Sequence, residues 1–178
     1  GIDEDARKFV FGGAALKAQL SLNDAGNTID PDDQIESVNS FNKKSLRDIL
    51  SNLEDKEGKS GIANSVAIRQ NGTRNKALAV QLGNSNMLVT RQYDDGNIGI
   101  HVQERHNNNT RLIQRNGGNV NALVARGNVS GPGGTGPFTL EAMGEVKGFS
   151  VDAQGAQPFS RLTVRPNGTN GFNITARR

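Results

Sequence analysis

Glutamine stands at Gln70, Gln81, Gln92, Gln103 and Gln114, and asparagine at Asn64, Asn75, Asn86, Asn97, Asn108 and Asn119, each series advancing by eleven residues. A carboxamide carries two N–H donors and an acceptor oxygen. Identical amides at one fixed interval therefore have a chemistry that needs no catalytic partner: placed one β-rung apart, at about 4.8 Å, they hydrogen-bond to one another as a ladder. Residues suited to covalent chemistry are sparse. The chain has no cysteine and two histidines, His101 and His106, neither in a metal-ligand spacing with a second histidine. Both read as structural. Asp94 and Asp95 form a turn pair, and Asp30, Asp32 and Asp33 a solvated loop without the ordered spacing of a calcium loop. The glycines at Gly12–Gly13 and Gly131–Gly136 lack the lysine and spacing of a phosphate loop. The expectation is a protein that is not an enzyme and takes no cofactor or metal.

The elements that must position the amides follow from the same period. Six eleven-residue units run without insertion from Ser65 to Ser130, each with six strand-suited residues followed by a polar, often glycine-bearing corner. Two units make one coil, so the fold expected is mainly β, a short two-sheet β-solenoid of three coils. Side chains alternate across a strand, so residues of glutamine parity share the inner face. There Val66, Ile68, Leu88 and Thr90 oppose the smaller Ala77, Ala79 and Gly99, which suits a thin interdigitated core. Gly72, Gly83, Gly96, Gly117 and Gly118 suit left-handed corners.

This block resembles the curlin repeat, whose pattern is S-x5-Q-x-G-x-x-N-x-A-x3-Q. The best copy is SVAIRQNGTRNKALAVQ, Ser65 to Gln81, in which Gln70 to Gln81 match the second part of the pattern in full; the last unit has Ala125 in place of glutamine. The resemblance implies a secreted bacterial subunit that stacks into extracellular amyloid fibres of a biofilm matrix. It also implies that the five glutamines and six asparagines form the fibre ladder. The partners implied are further copies of the chain, with a nucleator or secretion factors.

The flanks divide the remainder. Residues 1–64 form an acidic segment with a strand over Ala14–Leu22, where Leu16, Ala18, Leu20 and Leu22 alternate with polar residues, and one helix over Lys43–Glu57 carrying Leu46, Ile49, Leu50 and Leu53 on one face. Residues 131–137 form a Gly/Pro connector. Residues 138–178, with four short alternating strands, are expected as a small antiparallel β region.

Outward positions of the even units, Leu78, Val80, Ile98, Ile100, Val102, Val120 and Val124, form an apolar docking face that must be covered. The Leu46–Leu53 helix, the C-terminal strands or a neighbouring subunit could cover it. The odd units instead present Arg69, Arg91 and Arg111, a basic face. Acidic and basic residues number 12 and 8 over residues 1–64, 3 and 8 over 65–126, and 3 and 5 over 127–178, giving −4, +5 and +2. Contact with acidic polysaccharide or an acidic head fits the basic face better than nucleic acid, since Tyr93 is the one aromatic nearby. No stretch is long and apolar enough to cross a membrane as a helix. Both solenoid ends are expected to expose unpaired strands unguarded by proline, which favours stacking. The function expected is a secreted structural filament subunit. The alternative is a non-polymerising adhesin or fibre accessory module binding glycan through the basic face.

Overall fold

The computed structural model describes residues 6–11, 14–20, 64–168 and 171–178. Twelve strands follow one another: β1 Ala6–Phe11, β2 Ala14–Leu20, β3 Ser65–Asn71, β4 Lys76–Leu82, β5 Met87–Tyr93, β6 Ile98–Glu104, β7 Asn109–Gln114, β8 Val120–Ala125, β9 Phe138–Ala142, β10 Lys147–Ala153, β11 Arg161–Asn167 and β12 Gly171–Arg177. They form two six-stranded sheets, ordered β1-β2-β4-β6-β8-β10 (sheet one) and β12-β11-β9-β7-β5-β3 (sheet two). From β3 to β11 the strands alternate between the sheets and pair in parallel with the strand one coil away, as in Gln70 with Gln92 and Gln81 with Gln103. This is a β-solenoid of about five turns.

The coil repeats because each corner returns the chain to the same place. Gly72 and Gly83 have φ of 137° and 111°, and a Cβ on either would overlap the carbonyl oxygen of Asp94 or Arg105 in the next coil. Only glycine lets the backbones approach that closely. Where later corners lack glycine, Asp94, Arg105 and Asn116 still take φ of 69°, 67° and 66°. The left-handed step is thus imposed by the stack.

The solenoid is longer than the three coils expected. β9, β10 and β11 pair in parallel with β7, β8 and β9, so most of the C-terminal region continues the coil and only the β11–β12 hairpin is antiparallel. The reason lies in the inner row: Phe138, Leu140, Ala142, Val146 and Val164, at most 1% exposed, share one core with Leu112, Leu123 and Val129. The Gly/Pro stretch is an enlarged corner within this core's coil, with a 3₁₀ turn at Pro132–Gly134 and Gly131 N donating to Gly136 O at 3.0 Å.

The ends also differ from two bare edges. At the N-terminal end β2 pairs antiparallel with β4, and β1 with β2; at the C-terminal end β12 pairs antiparallel with β11. The strand expected at Ala14–Leu22 is β2, ending at Leu20, with Leu16 in register with Val80 and Ala18 with Leu78. The helix expected over Lys43–Glu57 lies outside the described residues.

Candidate functional site

Within each coil the strand length sets the glutamine at the last inward position before a corner, with an asparagine in the corner itself. Gln70, Gln81, Gln92, Gln103 and Gln114 are at most 2% exposed, as are Asn75, Asn86, Asn97, Asn108 and Asn119. Buried amides are costly unless satisfied, and the coil geometry satisfies nearly all of them.

The glutamines form two short ladders. On sheet two, Gln70 Nε2 donates to Gln92 Oε1 and Gln92 Nε2 to Gln114 Oε1, both at 2.8 Å. On sheet one, Gln81 Nε2 donates to Gln103 Oε1 at 2.9 Å. Each glutamine beyond the first also reaches the opposite sheet, where Gln81, Gln92, Gln103 and Gln114 donate to the carbonyls of Ser65, Lys76, Met87 and Ile98 at 2.6–2.8 Å. One side chain therefore ties its rung to the next and its sheet to the other.

The asparagines form two further ladders of reversed polarity. Asn86 N and Nδ2 donate to Asn64 Oδ1, and Asn108 N and Nδ2 to Asn86 Oδ1; Asn97 likewise donates to Asn75 Oδ1 and Asn119 to Asn97 Oδ1, all at 2.8–3.2 Å. The backbone N–H fixes which amide atom is oxygen. Glutamine donors point toward the C-terminal coil and asparagine donors toward the N-terminal one.

At their C-terminal ends all four ladders close inside the molecule. Asn108 Oδ1 accepts Gly127 N and Val129 N, and Asn119 Oδ1 accepts Gly144 N and Val146 N, at 3.0–3.1 Å. Gln114 passes its donor to Asn121 Oδ1 and Gln103 to Thr110 Oγ1, both at 2.9 Å. At the opposite end the buried Gln81 Oε1 has no hydrogen-bond partner. In the backbone register Gln81 pairs with Ala15 of β2.

His101 sits on the inner face between two hydroxyls, with Nδ1 3.1 Å from Thr90 Oγ1 and Nε2 2.6 Å from Thr110 Oγ1. Burial pushes its pKa down to about 3. The ring is held neutral and buried, a structural role. His106 lies in an exposed corner, its Nδ1 accepting Asn84 N at 3.1 Å. Among the described residues no group of three or more His, Asp or Glu side chains is placed to hold a metal. Asp30, Asp32 and Asp33 lie outside the described residues.

The outward rows separate the remaining candidates. Leu78, Val80, Ile100, Val102 and Val124 are at most 8% exposed in the single chain, with Ile98 and Val120 half-buried. Arg69 and Arg91 face each other in register on sheet two, whereas Arg111 pairs with Val89, one row away. Residues absent from the repeat reading fasten the fourth and fifth coils. Glu141, 7% exposed, meets Arg115 at 2.9 Å and Arg161 at 3.4 Å, and Arg126 bridges Glu104 and Asp152 at 2.7 Å each. Their separations of about two units, such as Arg126 and Glu104, are the signal that could have found them.

Residues 61–93 match the family model of the Curlin associated repeat. The matched segment spans β3, β4 and β5, the first coil and the rung that follows it. No curated protein and no solved structure matches the chain.

Proposed function

We propose that this chain is a secreted structural subunit of an extracellular filament, without catalytic activity, that assembles with copies of itself. One observation carries the reading: a curlin-repeat match on a parallel solenoid whose buried glutamines and asparagines are hydrogen-bonded coil to coil. Such a core gives a stiff rod with strand edges at its ends, and edges are where chains of this geometry join.

A specific observation also favours a second reading. Each solenoid end has one of its two sheets covered by an antiparallel hairpin, a device that restrains stacking. A chain so capped would serve as a surface module, with Arg69 and Arg91 contacting acidic polysaccharide. Electron microscopy and sedimentation of the purified chain over a concentration series separate the two. Filaments above a critical concentration support the first reading; a monomer at every concentration supports the second.

A further inference from the structure

The two outer faces of the solenoid differ. On sheet one Leu78, Val80, Ile100, Val102 and Val124 are at most 8% exposed, whereas on sheet two Arg69, Arg165 and Arg177 are exposed and Arg91 and Arg111 half-buried. Because β9 and β11 continue the coil, sheet two carries Arg161, Arg165 and Arg177 on the same side as Arg69, Arg91 and Arg111. Across its strands one row reads Val89, Arg111, Thr139, Arg161, Arg177, and the next Arg69, Arg91, Ile113, Glu141, Thr163, Thr175. Such rows cross the strands at right angles and so follow the solenoid axis. From β3 to β12 they cover five strand spacings, about 24 Å.

Charge on this face is one-sided. Glu141 is the one acidic residue among its outward strand positions, and it is 7% exposed, held by Arg115 and Arg161 with Thr163 Oγ1 donating to it at 3.2 Å. Asp94 and Asp95, in the adjoining corner, already accept the backbone N–H groups of Asn116 and Thr73. Among the described residues no ion pair engages Arg69, Arg91, Arg111, Arg165 or Arg177. Two cross-strand pairs, Arg69 with Arg91 and Arg161 with Arg177, set like charges directly opposite each other. Such pairs destabilise a sheet. An anion seated between the two guanidinium groups turns that repulsion into attraction.

We propose that the outer face of sheet two binds a linear, carboxylate-bearing polysaccharide laid along the solenoid axis, with Arg69, Arg91 and Arg111 holding one stretch and Arg161, Arg165 and Arg177 the next. The proposal rests on the reading of Arg69 and Arg91 as a polysaccharide contact, extends that contact over six strands and fixes its direction. It does not depend on polymerisation. A guanidinium takes a carboxylate through two parallel hydrogen bonds. Beside the arginines stand Thr163, Thr175 and Asn173, whose hydroxyl and amide groups suit sugar hydroxyls. Single-stranded nucleic acid fits less well, because its bases stack on aromatic faces. Tyr93 is the one aromatic of this face, and the Arg115 guanidinium covers it at 4.8 Å from the ring centroid.

The probe is polygalacturonate, a linear chain of uronic acids, cut to labelled oligomers of graded length, with the methyl-esterified form as uncharged control. Fluorescence anisotropy is read at protein concentrations below the onset of polymerisation. Affinity should climb with length until the oligomer spans about 24 Å and then level off, and it should fall as salt rises. Arg69→Ser with Arg91→Ser, and Arg165→Ser with Arg177→Ser, should each weaken binding of the long oligomer about tenfold or more. Both variants should keep or raise the melting temperature, since each removes a like-charge pair. Weakening confined to the Arg69 and Arg91 variant overturns the axial face and leaves the two-arginine contact standing. No binding of any oligomer overturns both. Equal affinity for the esterified control, or for single-stranded DNA of matched charge, overturns the carboxylate assignment. The filament reading is decided separately, by the concentration series.

Discussion

Gln92 and Gln114, 22 residues apart in the chain, are joined by a 2.8 Å hydrogen bond from Gln92 Nε2 to Gln114 Oε1, with both side chains fully buried. Gln92 also accepts from Gln70 and donates to Lys76 O, so this one amide connects three coils and both sheets.

Gln92→Leu keeps the volume apolar but takes an acceptor from the Gln70 amide, strands the Gln114 acceptor and gives up the bonds to the Lys76 and Asn97 carbonyls. An unmet buried polar group costs about 1–3 kcal/mol, so the subunit should lose about 2–5 kcal/mol. Gln81→Leu strands the Gln103 acceptor, gives up the bonds to the Ser65 and Asn86 carbonyls, and removes the orphan Gln81 oxygen. It should cost less by about 1 kcal/mol or more. Urea unfolding of the two variants checks the order, and equal losses would contradict the ladder account.

Gly99→Ala tests the small-against-large packing. A Cβ on Gly99 would stand 2.9 Å from Gln114 Oε1, 3.1 Å from Leu112 Cδ2 and 3.4 Å from Gln92 Nε2. Overpacking of this kind costs about 1–3 kcal/mol. Gly96→Ala, at φ of 74° with no atom near the added methyl, carries a backbone penalty but no clash, whereas Gly99→Ala carries the clash alone. The expected readout is that Gly99→Ala alone disturbs the glutamine side-chain amide resonances in NMR spectra.

How much of this was legible in the sequence depended on which groups carried the period. The glutamines and asparagines mark the first three coils because a buried amide admits few substitutes. In the later coils the same row holds Ala142, Ala153 and Val164, still eleven apart, but many apolar residues serve there and the period no longer stands out. The enlarged corner at 130–137 adds six residues between Ala125 and Ala142 beyond the eleven, which shifts the phase. Alternation of apolar and polar residues also looks the same in parallel and antiparallel strands. That is why β9, β10 and β11 read as a separate antiparallel sheet. The capping by β1 and β2 was illegible for the same reason, since pairing partners leave no mark on a two-residue period.

His101 gives a pH prediction. Its folded pKa of about 3 lies below the ordinary 6.5, so between those values the unfolded chain binds a proton that the folded chain does not. The stability contributed by the neutral ring is complete above pH 6.5 and falls as pH is lowered toward about 3, at about 1.4 kcal/mol per pH unit within that window. His101→Leu sacrifices the Thr90 and Thr110 contacts at every pH but removes this slope. Thermal melts between pH about 7 and about 4 should show a shallower decline in the variant. Parallel declines would place the acid sensitivity elsewhere.

The corner glycines give the sharpest local test of coil stacking. Gly83→Ala puts a methyl on the Arg105 carbonyl oxygen and asks alanine to hold φ of 111°. The combined clash and strain should exceed about 2 kcal/mol. Gly155→Ala, at a corner with φ of 76° and open space around it, should cost about 1 kcal/mol. Comparable losses in the two variants would mean that the corners are not in close stacked contact.

The central claim, a filament built by continuing the subunit's own β-stacking, is tested most directly by fibre diffraction from aligned filaments of the purified chain. The account predicts a meridional reflection at about 4.8 Å, the strand spacing running along the fibre axis. Filaments in which that spacing lies off the axis, or a chain that forms none, would contradict it.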